Sequence, residues 1–158
     1  MARTARTLSR EDLPHIQPLW RDYLAELRVY DPSIDIELPF DPTWFDKPGM
    51  LEPLAIEAEG EGEVVGFLML TGRAYAEALG EDADHHVYEL YIAPEHRGTG
   101  LARRFVRAAI AERPGQWTLS RFAEDPRTTR FWDGLLAEWS PEVRRISDLR
   151  VGYRFAVP

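Results

Sequence analysis

A strand that empties into two closely spaced glycines, and from there directly into a helix, limits this chain more than any other feature of its sequence. The stretch is Tyr88 to Phe105, YELYIAPEHRGTGLARRF. Val87 to Ile92 reads as a strand that Pro94 stops, and Gly100 to Glu112 reads as a helix closed by Pro114-Gly115. Glycines at such a junction let the backbone approach a ligand closely, while successive N–H groups and the helix dipole point at an anion. A pyrophosphate suits that arrangement. A P-loop would need Gly-Lys-Ser/Thr, which the chain lacks. A dinucleotide fingerprint G-x-G-x-x-G begun at Gly98 would put its third glycine on Arg103, and it belongs after the first strand of a parallel sheet. Neither fits.

The rest of the chain surrounds that junction with a regular order of elements. Thr4 to Leu8 alternates as a short strand, and Ser9 with Asp12 reads as an N-cap. Leu13, Ile16, Trp20, Tyr23, Leu24 and Leu27 recur at helical spacing. Pro14 and Pro18 predict that this helix begins as a loose turn and tightens after Pro18. Asp31 to Gly49 holds four prolines and reads as a loop with at most one short helix around Trp44. Leu54 to Ala58 and Val64 to Leu70 form a hairpin across Gly60, Glu61 and Gly62. Gly72 to Asp84 reads as a polar connection. In the helix after the glycines, Leu101, Phe105, Ala108 and Ala109 are the expected buried face, with Arg103, Arg104 and Arg107 turned outward. Gln116 to Ser120 is a strand, Pro126 to Trp139 a helix, and Val143 to Val157 one or two closing strands. The order predicts a three-layer α/β/α sandwich on a mixed, mostly antiparallel sheet, with one helical crossover joining the Val87 and Gln116 strands.

Composition narrows the function classes. The chain reads as a single domain over residues 1–158. It contains no cysteine, which excludes disulfides, a Cys-based metal site and a Cys-linked acyl-enzyme. A net charge of −8 argues against nucleic acid as the main partner. The longest apolar run, Val64 to Leu70, is too short to cross a bilayer, and the opening residues carry no apolar leader, so no membrane partner and a cytoplasmic address are expected. His85, His86 and His96 match no metal-ligand spacing, so no metal is expected.

The loop also satisfies R/Q-x-x-G-x-G/A through Arg97, Gly100 and Ala102. With Ile92-Ala93-Pro94 before it, the helix after it, and a second phrase from Asp125 to Trp132, the chain resembles the GNAT superfamily of N-acetyltransferases over nearly its whole length. That phrase is similar to the family's Asn-x-x-Ala-x-x-Phe-Tyr helix beside the cofactor arm. The resemblance implies acetyl-CoA as cosubstrate and direct transfer to an amine of a small molecule or peptide. Amides from Arg97 through Gly98, Thr99, Gly100, Leu101 and Ala102 would hold the pyrophosphate, with Asp125 and Trp132 on the neighbouring helix. The backbone of Leu90, Tyr91 and Ile92 would meet the pantetheine, and the N–H of Tyr91 or Ile92 would polarise the thioester carbonyl. A homodimer through the closing strands is compatible with it. The alternative is a CoA-binding module without turnover.

The resemblance breaks at Asp125, where the family often has asparagine, at Thr128, where it often has alanine, and at Trp132, where many members carry a tyrosine acid. An indole cannot protonate a leaving thiolate. Either Trp132 only packs and the thiolate leaves unaided, or another phenol such as Tyr91 or Tyr153 serves. For the base that takes the amine's proton, Glu89 and His86 are the candidates. Strict strand alternation puts them on opposite faces, unless a bulge intervenes. The acidic run Glu81, Asp82 and Asp84 is a candidate for steering a cationic amine.

Overall fold

The computed structural model describes residues 6–58 and 62–158 and gathers the strand-like segments into one seven-stranded sheet. Its strands are β1 (Arg6–Thr7), β2 (Leu51–Glu57), β3 (Val64–Thr71), β4 (His85–Ile92), β5 (Gly115–Phe122), β6 (Glu142–Arg145) and β7 (Arg150–Val157). They lie in the order β1-β2-β3-β4-β5-β7-β6. Every pair is antiparallel except β4 and β5. The start of the first strand at Thr4, and Gly60 and Glu61 of the hairpin turn, lie outside the described residues. Gly62, at the far side of that turn, has φ +70°, which a side chain would resist.

Among the described residues four α-helices cover the sheet: α1 (Leu13–Tyr30), α2 (Arg73–Ala78), α3 (Leu101–Ala111) and α4 (Pro126–Leu136). Period-two alternation in β3 decides which helices meet which face. Phe67 and Met69 point to α1, where Ile16, Trp20, Tyr23 and Leu24 form its buried stripe. Leu68 and Leu70 point the other way, to Val106 and Ile110 of α3 and Trp132, Leu135 and Leu136 of α4. Each such side chain, fully buried, contributes about 1.5–3 kcal/mol. The result is the expected α/β/α sandwich, with β4 at its centre. Among the described residues no helix is long and apolar enough to cross a membrane.

Several local expectations are corrected. The first helix is regular from Leu13. Pro14 falls in the first turn, where N–H groups have no partner anyway, and Pro18 gives up only the bond to Pro14. The Ser9 cap opens a short 3-10 turn, Arg10–Asp12, in which Asp12 accepts from Ser9 N–H at 2.9 Å. The connection from Gly72 to Asp84 contains α2, whose six residues are too few to show a helical period. In α3 the buried face is Val106, Ala109 and Ile110; Leu101, Phe105 and Ala108 are only half-buried, a rotation that keeps all three predicted arginines in solvent. Both closing strands form, and β6 is the edge strand.

Candidate active site

β4 and β5 run side by side yet pair only at His85–Trp117 and His86–Thr118. Beyond those residues the strands part, and a cavity of about 950 Å³ follows the gap. One side of the gap is β4 backbone. Ala93 N–H bonds to Val65 on β3 at 2.8 Å, and two-residue alternation then turns Tyr91's amide to β3 as well. The peptide groups of Leu90 and Ile92 therefore face the gap. Of the two amides expected to polarise a carbonyl, only that of Ile92 points into it; Tyr91's is committed to the sheet. Gly66 allows this packing, because a Cβ there would come within 2.3 Å of the Tyr91 carbonyl oxygen.

At the lower end of the gap stands the glycine loop. Gly98 and Gly100 have φ +79° and +82°, a region that disfavours any side chain. Gly100 is the N-cap of α3, whose first-turn N–H groups have no carbonyl within the helix. The sequence chose glycine where the chain must turn left-handed to present those donors. Leu101 and Ala102 also line the cavity, whereas Thr99 does not: its hydroxyl contacts His96 O and Leu101 N–H, both at 3.3 Å. Arg97 turns inward. Its guanidinium donates to Ile92 O at 2.9 Å, lies over the Tyr91 ring and pairs with Glu26 of α1 at 2.8 Å. Glu26 also meets Arg127 of α4 at 3.1 Å. One carboxylate thus ties the loop and both flanking helices together.

The two candidate bases end on the same face of β4. Met69 pairs with Glu89 and Leu70 with Val87, which leaves Tyr88 as the extra residue of a β-bulge. His86, Tyr88 and Glu89 consequently all face α1, and all line the cavity. Glu89 is half-buried on the cavity wall. Loss of hydration pushes its carboxyl up to about 7, against a hydrogen bond from Tyr23 and the nearby charge of Arg150, which both pull it down. Tyr23 Oη donates to the Glu89 carboxylate. Burial and the charge of Glu89 hold that phenol well above its ordinary range. His86 shares a hydrogen bond with Thr118 at 2.9 Å, and burial lowers its pKa, so the imidazole is neutral.

Asp125 caps α4, accepting from the N–H groups of Arg127 at 3.0 Å and Thr128 at 3.3 Å. Trp132 is buried in the α3–α4 core with Phe131 edge-on at 4.9 Å, and one edge of it reaches the cavity. Tyr153 is not on the cavity wall. Its hydroxyl lies between Arg121 at 2.8 Å and Asp133 at 2.6 Å, which withdraws it from the role of acid. Of the acidic run, Asp82 and Asp84 pair with Arg73, while Glu81 lines the cavity. Sequence reasoning missed Tyr23, Glu26, Arg127 and Arg150. Tyr23 sits within α1's apolar period and reads as core; no local signal marks the other three. Among the described residues no group of three His, Asp or Glu side chains could hold a metal ion.

A parted strand pair above a left-handed glycine loop defines the acyl-CoA N-acyltransferase class of fold. The model of the acetyltransferase (GNAT) family matches residues 16–133, and the chain belongs to that family. It is an N-acetyltransferase by family. Solved structures agree in fold. An acetyltransferase from Thermus thermophilus is similar at TM-score 0.72 and 14% identity, over 98% of this chain and 96% of that one. Ribosomal-protein-alanine N-acetyltransferase from Brucella melitensis is similar at 0.66 and 17%, over 98% and 100%. Arabidopsis thaliana NAA60, solved with acetyl-CoA, is similar at 0.59 and 14%, over 96% of each chain. No curated protein matches the chain.

Proposed function

We propose that the protein moves an acetyl group from acetyl-CoA directly to a primary amine, with Glu89 as the base that takes the amine's proton. The observation that carries this reading is a carboxylate at about 7, on the wall of the parted-strand cavity and on the face shared with His86 and Tyr23. A base poised near the operating pH is half ionised there, which suits it to accept a proton from an incoming ammonium. Tyr23 is the positioning residue: its donated hydrogen bond favours the ionised form and fixes the carboxylate's direction. His86, neutral and held by Thr118, is better placed to hold a water than to compete as base.

The residues fit the cosubstrate. The gap exposes the Ile92 N–H where a thioester carbonyl needs a donor, and the start of α3 presents backbone N–H groups where a pyrophosphate needs several, although that of Leu101 meets the Thr99 hydroxyl and that of Arg97 is taken by Pro94 O. Acetyl-CoA would supply an activated acetyl whose leaving thiol, with a pKa of about 8.5, departs without an acid. Trp132 then needs only to pack. A non-catalytic CoA-binding module is the second reading, favoured by Trp132 in the usual acid position. The raised Glu89 carboxyl speaks against it, since burying a carboxylate costs stability that simple cofactor binding does not require.

The test is release of CoA thiol in the presence of a panel of primary amines. Glu89→Gln should lower kcat by roughly 10² or more while acetyl-CoA affinity stays within a factor of two. Full activity in Glu89→Gln, or its loss in His86→Ala instead, would remove Glu89 from the role. Acetyl-CoA binding without thiol release for any amine would favour the non-catalytic module.

A further inference from the structure

We infer that the acceptor end of this cavity is a subsite for a primary amine carried on a flat apolar body, an arylalkylamine in chemical class. The inference rests on the acetyl-transfer reading above and specifies its acceptor. It begins from what surrounds Glu89. Tyr23, which bonds the carboxylate, lies 5.6 Å from Trp20. Trp20 lies 5.4 Å edge-on from Trp44, and Trp44 5.9 Å from Tyr88, the bulge residue next to Glu89. Four rings linked in a chain of contacts thus line the cavity with the proposed base. Trp20 and Tyr23 are largely committed to the core, whereas Trp44 and Tyr88 are half-buried and turn part of their surface to the cavity.

The rim continues the same chemistry. Leu38, after α1, and Leu79, at the end of α2, are 55% and 40% exposed and border the cavity from different elements, with Ile34 beside them. Isolated exposed leucines mean little, but two converging on the entrance to an aromatic wall mark a path for an apolar group. The charges specify the head group. Glu81 and Asp35 stand on the cavity wall with Glu89. Of the arginines on the wall, Arg97 and Arg127 pair with Glu26, Arg103 donates to Gly134 O at 3.4 Å and Arg121 bonds Tyr153, while Arg150 lies over Phe122 at 4.4 Å with its charge near Glu89. A single cation is accommodated among these carboxylates and ring faces. A polycation would leave its further charges against the leucines of the rim.

The experiment measures acetyl-CoA-dependent thiol release with phenethylamine, propylamine, spermidine and an unblocked peptide, beside calorimetric acetyl-CoA binding. Expected is kcat/KM for phenethylamine about a hundredfold above that for propylamine, with spermidine poor. Trp44→Ala should lower the phenethylamine-to-propylamine ratio about tenfold. Leu79→Ser, at an exposed position that leaves folding intact, should lower the same ratio by about two- to fivefold. Turnover with spermidine or the peptide as the best acceptor, or an unchanged ratio in both variants, overturns the subsite while the acetyl-transfer reading stands. Absence of both acetyl-CoA binding and turnover overturns the two together.

Discussion

Removing the Tyr23 hydroxyl tests the site's acid–base chemistry most directly. In Tyr23→Phe the ring keeps its contacts with Phe67 at 5.5 Å and Tyr91 at 5.6 Å, so the fold should survive. What goes is the hydrogen bond that holds the Glu89 carboxyl down against desolvation. A hydrogen bond to a charged group is worth about 1.5–3 kcal/mol. At 1.36 kcal/mol per unit that is an upward shift of about one to two units, from about 7 toward about 8–9. At pH 7 the ionised fraction of the base drops from about one half to between about a tenth and a hundredth. The expected outcome is an acid limb of kcat/KM that moves to higher pH, a loss of about fivefold to fiftyfold at pH 7, and recovery above pH 9. The assay is thiol release across pH 5.5–10 at saturating acetyl-CoA, with circular dichroism to confirm folding. An acid limb that stays near 7, or moves to lower pH, in a folded Tyr23→Phe variant would refute the pairing of Tyr23 with a titrating Glu89.

Other perturbations probe the remaining parts. Gly100→Glu puts a side chain on a residue at φ +82° and a negative charge at the loop, so acetyl-CoA affinity should fall at least tenfold by calorimetry in a folded protein; unchanged affinity removes the loop from the cofactor site. Trp132→Phe should keep turnover within about threefold, at neutral pH and below, if packing in the α3–α4 core is the indole's role; a loss of 10² or more with CoA still bound would give it a specific role. Glu89 also leaves a mark on stability. Its folded pKa lies above the ordinary 4.5, so between there and about 7 the folded state holds a proton that the unfolded chain has released. Stability therefore falls as pH rises across that window, by up to about 3 kcal/mol from this group. Denaturation of the wild type at pH 5 and pH 8 should show that loss, and Glu89→Gln should flatten it.

Parts of this molecule are local properties of the chain. The left-handed turn at Gly98 and Gly100, the helix behind it and the strand before it follow from residue types within a few positions of one another, and they appear where the pattern puts them. The sandwich follows from element order, because each amphipathic face has only one kind of partner to bury against. Glu89 and His86 were both legible as candidates on their strand. Their shared face was not. Alternation separates them, and only the Tyr88 bulge, which exists because β3 and β4 pair out of step there, reunites them. The choice of Ile92 over Tyr91 as the gap-facing amide depends on which of them bonds to β3, a register that no single strand contains. Tyr153 lost its candidacy to Arg121 and Asp133, and Tyr23 gained its role beside Glu89 through a contact between residues 66 apart in sequence. Periodicity reports that a side chain is buried; what it is buried against, and hence whether its hydroxyl tunes a carboxylate or merely fills space, is decided by packing between elements far apart in the chain.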